Sequence, residues 1–92
     1  MNRLINVGFG NVINSSKIVS IISPDAAPVK RMVQTAKDTG MAIDATCGRR
    51  TKAVIVTDSG HLILSSLLPD TITGRVNQFY DENHDVNSIK HV

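Results

Sequence analysis

The chain has 92 residues, 41% hydrophobic and 20% charged, a balance that excludes a disordered polypeptide and allows one small folded domain with a modest core. A single cysteine, Cys47, excludes an internal disulfide, and no apolar run approaches the ~20 residues needed to span a bilayer. The formal net charge of +2 is unevenly spread: residues 1–80 hold nine Lys/Arg against five Asp, whereas residues 81–92 hold Lys90 against Asp81, Glu82 and Asp85. The three aromatic residues (Phe9, Phe79, Tyr80) are too few for the stacking platforms on which single-stranded nucleic acid is usually gripped.

Arg3 to Val7 and Val12 to Ile13 read as short strands joined across Gly8-Phe9-Gly10-Asn11. A dinucleotide-binding loop needs a third glycine where Ile13 stands, followed directly by a helix, so Gly8 and Gly10 are read as structural residues supplying positive φ. Asn14-Ser15-Ser16-Lys17 forms a second polar connection and places Lys17 before a β-branched strand, Ile18 to Ser23. Ser23 to Pro28 announces a helix, with Asp25 as a cap and Pro28 in the first turn. Val29, Met32, Val33 and Ala36 follow at the spacing of one buried face, and Gly40 closes the helix. Lys30, Arg31, Lys37 and Asp38 fall off that stripe and read as solvated helix surface.

Met41 to Thr46 reads as a strand and Ala53 to Thr57 as a second strand pairing back on it. This makes the intervening segment a hairpin, with Gly48 in the turn and Arg49, Arg50 and Lys52 at a projecting tip. Such a tip suits a phosphate backbone, and it equally suits a solvated turn that keeps the protein soluble. Asp58-Ser59-Gly60 is a tight-turn signal leading into His61 to Leu68, which completes a meander of three antiparallel strands. Ala53 to Val56 and Leu62 to Leu64 are apolar without alternation, so both faces of the sheet need cover. A chain this short is expected to cover one face itself and to leave another surface to a neighbouring subunit. Leu68, Ile72, Val76 and Phe79 predict a second helix running to about Tyr80. The expected fold is α+β: one domain over residues 1–80, with an antiparallel sheet of about five or six short strands and two helices, and a flexible tail over 81–92.

Catalytic chemistry has little to draw on. His61, His84 and His91 are not spaced as metal ligands. Cys47, beside Arg49 and Arg50, is the one candidate nucleophile, but the position where a phosphatase-like loop needs its closing arginine holds Ala53. No enzyme, metal or cofactor is expected. The N-terminal residues lack the charged-then-apolar pattern of a secretion signal, and a cytoplasmic location is expected.

Gly8-Phe9-Gly10-Asn11, the run Ser23 to Met32, the run Asp44 to Val54 and Leu62 to Ser66 closely resemble the RemA family of bacterial extracellular matrix regulators, and the resemblance covers roughly residues 3–76. It implies a DNA-binding transcriptional activator of biofilm matrix genes, and in some members of osmoprotection genes. It further implies a ring-shaped homo-oligomer, assembled through sheet and helix surfaces, with double-stranded DNA upstream of promoters bent or wrapped around it. By the same resemblance Arg49 and Arg50 are DNA contacts, Lys17 matches a basic residue before the third strand, and Pro28 matches a proline important for function. Lys17 and Lys52 stand where arginine is common in the family; lysine keeps the charge without the planar fork, so both are assigned supporting phosphate contacts. Gly8, Gly10, Gly48 and Pro28 are assigned structural roles. One subunit offers only about three or four phosphate contacts, and a ring would repeat them at fixed spacing. The alternative is an oligomeric scaffold whose basic tip docks an acidic protein.

Overall fold

The computed structural model describes residues 3–78. The elements are β1 (Leu4–Asn6), β2 (Val12–Asn14), a 3-10 turn (Ser15–Lys17), β3 (Ile18–Ile22), α1 (Ala27–Asp38), β4 (Ala42–Asp44), β5 (Ala53–Thr57) and β6 (Leu62–Ser65). A second helix, α2, occupies residues 69–78. The expected helix end at Phe79 and Tyr80, and the tail 81–92 with His84 and His91, lie outside the described residues. Among those described, no helix is long and apolar enough to cross a membrane.

The apolar runs of β5 and β6 have a direct explanation: these strands form the centre of a four-stranded sheet ordered β3-β5-β6-β4. Pleating sends alternate residues to opposite faces. Val54, Leu62 and Leu64 turn to one side, where they pack with Ala36, Val29 and Val33 of α1 and with Met41. Ala53, Ile55 and Ile63 turn to the other side, against Ile5 and Val7 of the β1–β2 hairpin, Ala45 and Ile72 of α2. Both faces are therefore covered from within the chain, contrary to the expectation that a neighbouring subunit must cover one. The strands are only three to five residues long, so one helix on one side, and a helix plus a two-stranded hairpin on the other, suffice.

The expected antiparallel meander is also corrected. β5 and β6 form an antiparallel hairpin, Val54 opposite Leu64 and Ile55 opposite Ile63. β4 does not pair with β5; it pairs parallel to β6 on the far side, with Ala42 opposite Leu62 and Asp44 opposite Leu64. The physical reason lies in burial. All four residues of β6 are buried, which requires a strand on each side, whereas β4 carries a half-exposed Ile43 and fits an edge. The strands of the smaller sheet, β1 and β2, pair antiparallel.

Helix α1 starts differently from expectation. Its N-cap is Ala26, which makes no side-chain capping bond, and Pro28 lies in the first turn as anticipated. Asp25 instead accepts a hydrogen bond from the Ser23 hydroxyl, at 3.2 Å. The C-terminus closes as expected on Gly40, whose φ is +76°. The Met41 amide donates to the Ala36 carbonyl at 2.8 Å and the Gly40 amide to that of Lys37 at 3.4 Å, the paired bonds of a Schellman motif. Met32, expected in the buried face, is 39% exposed at its margin.

Ser65 joins the layers. Its buried hydroxyl donates to the Val7 carbonyl at 2.6 Å and accepts from the Leu67 amide at 3.1 Å, tying the end of β6 to β1 and to the segment leading into α2. Ser65→Ala leaves a buried carbonyl and an amide without this partner, and we expect it to cost about 1–3 kcal/mol of stability in urea unfolding.

Candidate nucleic-acid interface

The basic segment, residues 45–52, is not a hairpin tip but a crossover that carries the chain past the end of β6, from β4 to β5. Both of its ends are fixed to β6. The Ala45 amide donates to the Leu64 carbonyl at 2.9 Å and the Lys52 amide to the Ser65 carbonyl at 2.8 Å. Within the loop the Arg49 amide donates to the Thr46 carbonyl at 3.0 Å, closing a turn whose central residues, Cys47 and Gly48, have φ of +54° and +80°. At Gly48 the backbone is one that glycine adopts without strain. Cys47 adopts the same conformation as an exposed free thiol.

Asp44 sets the start of the loop. Its Oδ1 accepts from the Thr46 hydroxyl at 2.6 Å and from the Thr46 amide at 2.8 Å. These two bonds, the hydroxyl first, hold the Asp44 carboxyl below its ordinary value, opposed by partial desolvation and aided by the charge of Lys37. A carboxylate whose folded pKa is depressed stabilises the fold above its unfolded pKa, and that contribution is lost as pH falls through the folded value. Asp44→Ala is expected to cost about 1–2 kcal/mol at neutral pH. The gap from wild type should narrow below about pH 4, as urea denaturation at pH 7 and pH 3 would show.

The cations on this loop point in different directions. The Arg49 guanidinium lies over the ring of Phe9, 5.6 Å from its centroid. Arg50 and Lys52 line an open cleft of about 450 Å³ together with Ser23, Asp25, Leu68 and Asp70. β3 and β6 run in the same direction, so α1 and α2 both begin at this end of the sheet and turn their positive dipole ends toward it. Asp25 and Asp70 offset part of that charge within the cleft. Among the described residues, none of the three loop cations forms an ion pair.

Lys17 is not brought to this cluster. Ile18 lies opposite Thr57 and Lys17 beside Asp58, so Lys17 sits beyond the other end of β5, about 20 Å from Lys52 along the strand at ~3.3 Å per residue. Its carbonyl accepts from the Asp58 amide at 2.9 Å, and its ammonium lies 3.7 Å from the Asp58 carboxylate, with both side chains largely exposed. Gly8 and Gly10 lie in the β1–β2 turn with φ of +119° and +76°. Pro28 lies in the first turn of α1, beyond the Ser23 to Asp25 wall of the cleft.

Two residues of this region were not singled out from sequence. Phe9 is 53% exposed with φ +53°; its signal was an aromatic residue set between two turn glycines. Arg75 of α2 donates to the Asn6 carbonyl at 2.6 Å and ties the β1–β2 hairpin to the helix; an arginine in a weakly patterned helix carries no such signal. Among the described residues, no group of His, Cys, Asp or Glu is placed to hold a metal ion.

The chain is thus a small α+β domain with three exposed cations on one crossover loop that is fixed to β6 at both ends. The RemA-like family, described as extracellular matrix regulatory protein A-like, matches residues 4–76, and the chain belongs to that family. A protein of Lachnoclostridium phytofermentans, provisionally named a regulatory protein, is 65% identical over 78 residues, covering 85% of this chain and 86% of its own. Proteins with the same provisional name from Alkaliphilus metalliredigens and Thermoanaerobacter sp. are 56% and 57% identical, over 91% and 82% of this chain and 89% and 78% of theirs. These names place the chain among bacterial regulatory proteins.

Proposed function

We propose that this regulatory protein binds duplex DNA through residues 45–52 and activates transcription of extracellular matrix genes, as a cytoplasmic homo-oligomer that needs no cofactor. The observation carrying this reading is the pinned crossover loop: Arg49, Arg50 and Lys52 are exposed, and the loop that bears them is fixed to β6 at both ends. A loop ordered before binding loses little entropy when it meets a phosphate backbone. Arg49 and Arg50 are the principal contacts and Lys52 supports them, while Lys17 reaches a separate phosphate from its own end of the sheet.

The family description, extracellular matrix regulatory protein A-like, supports matrix genes as the target. Oligomerisation has support in the sheet edges, where Val19 on β3 is 65% exposed and Ile43 on β4 is 49% exposed. These edges offer apolar surface to neighbouring copies, and a closed ring of such copies would present the basic loop at regular intervals. With few side chains to read base edges, selectivity is assigned mainly to site spacing and DNA bendability.

The test is fluorescence anisotropy of a labelled promoter-length duplex titrated with the protein at two salt concentrations, with duplex RNA and an acidic protein as competitors. Binding should weaken steeply with salt, by a log–log slope of about −0.9 for each phosphate neutralised. Absence of duplex binding, together with capture of the acidic protein, transfers the site to a protein-docking scaffold. Preference for RNA over DNA replaces the nucleic acid in the proposal.

A further inference from the structure

We propose that Phe9 is a positioning residue of the DNA site, acting through Arg49; the inference rests on the DNA-binding reading above. A bulky residue at φ +53° is strained, and the two residues beside it, Gly8 and Gly10, show what this turn would ordinarily use. Burial does not compensate, because the ring is half exposed and belongs to neither core cluster. What the ring does contact is Arg49, whose guanidinium lies 5.6 Å from its centroid, within cation–π range.

The mounting of this ring is firm. The Val7 amide donates to the Asn11 carbonyl at 2.8 Å, and the Asn11 amide to that of Gly8 at 3.0 Å. The Asn6 Oδ1 accepts from the Gly8 amide at 2.7 Å, and the Asn11 side-chain amide donates to the Gly8 carbonyl at 2.9 Å. A Cβ on Gly8 would lie 3.7 Å from the Ala45 carbonyl oxygen, so the turn rests on the first residue of the basic loop. Phe9 and Arg49 thus come from two segments anchored on the same end of β6. Arginine loses much rotamer freedom on binding, and a ring that holds the guanidinium beforehand lowers that loss. Among the described residues no ring lies against Arg50, which lines the cleft.

The test compares Phe9→Gly, Phe9→Tyr, Arg49→Ala and Phe9→Gly/Arg49→Ala with wild type, by duplex-DNA anisotropy, melting temperature and NMR of the Arg49 side chain in the free protein. Glycine suits the left-handed backbone, so Phe9→Gly should keep its melting temperature while binding DNA about 3- to 10-fold more weakly. Phe9→Tyr should bind as wild type, and Phe9→Gly should add nothing once Arg49 is alanine. The Arg49 δ-methylene protons should be shifted upfield by the ring in wild type and return to ordinary values in Phe9→Gly. Equal losses in both backgrounds overturn the proposal, because the ring would then touch DNA on its own account; an unchanged affinity overturns it as well. If wild type binds no duplex, the DNA-binding reading fails. The NMR arm is then decisive for the pairing: a shift that depends on Phe9 supports it, and unshifted protons in wild type overturn it.

Discussion

Arg49→Ala/Arg50→Ala is expected to bind a promoter-length duplex at least ~100-fold more weakly than wild type at near-physiological salt, with a shallower salt dependence. Each guanidinium would supply about 1.5–3 kcal/mol of charge-assisted hydrogen bonding to phosphate, and both would be repeated in every subunit of an oligomer. The loss is one of contact and not of fold. Both side chains are exposed, and the crossover is fixed through the backbone amides of Ala45, Arg49 and Lys52, all of which survive the substitution. Unfolding free energy should therefore stay within about 0.5 kcal/mol of wild type. The single variants separate the two arms of the site, because Arg49 leans on Phe9 while Arg50 lines the cleft with Lys52, Asp25 and Asp70. Arg50→Ala leaves Asp25 and Asp70 opposed in the cleft by Lys52 alone, and should be the more damaging single change. Equal binding by wild type and the double variant, at matched oligomeric size, would falsify the assignment of the loop as the DNA contact.

How much of this was legible in the sequence depended on whether the determining interactions were local. Helix α1 was, since the apolar spacing of Val29, Val33 and Ala36 and the glycine at position 40 act within one or two turns. So was the β5–β6 hairpin, marked by Asp58-Ser59-Gly60 between two apolar runs. The partner of β4 was not. Residues 45–52 carry turn signals that serve a hairpin and a crossover equally well, and what decides between them is the demand of a fully buried β6 for neighbours on both sides. The cover of the second face was missed for a related reason, because two separated segments, the β1–β2 hairpin and α2, meet over Ile55 and Ile63 only in three dimensions. At the site, Arg49, Arg50 and Lys52 lie within one loop and were found together. The distance of Lys17 from them follows from the antiparallel register of β3 against β5, which no local pattern records.

The reach of the DNA sets the second large effect. Binding to a duplex of about 80 bp should exceed binding to one of about 12 bp by 10²-fold or more beyond the statistical advantage of extra registers. A duplex of about 12 bp spans little more than one helical turn and engages one or two loops, whereas the longer one passes several, and each later contact is made at high effective concentration. The geometry of a single subunit motivates this expectation. Three loop cations share their end of the sheet with Asp25 and Asp70, and the fourth cation stands a strand length away, ion-paired with Asp58. On the proposed reading such a site would bind weakly alone, and repetition on a common frame would raise its affinity at cellular salt. Titration of both duplexes, with oligomeric size followed by light scattering at the same concentrations, distinguishes the possibilities. A length-dependent gain carried by a defined oligomer supports a multivalent assembly, and a gain that vanishes when the protein is diluted to monomer ties the avidity to the oligomer itself. Equal affinity per site for both lengths means that one subunit suffices, and it overturns the multivalent reading of the site.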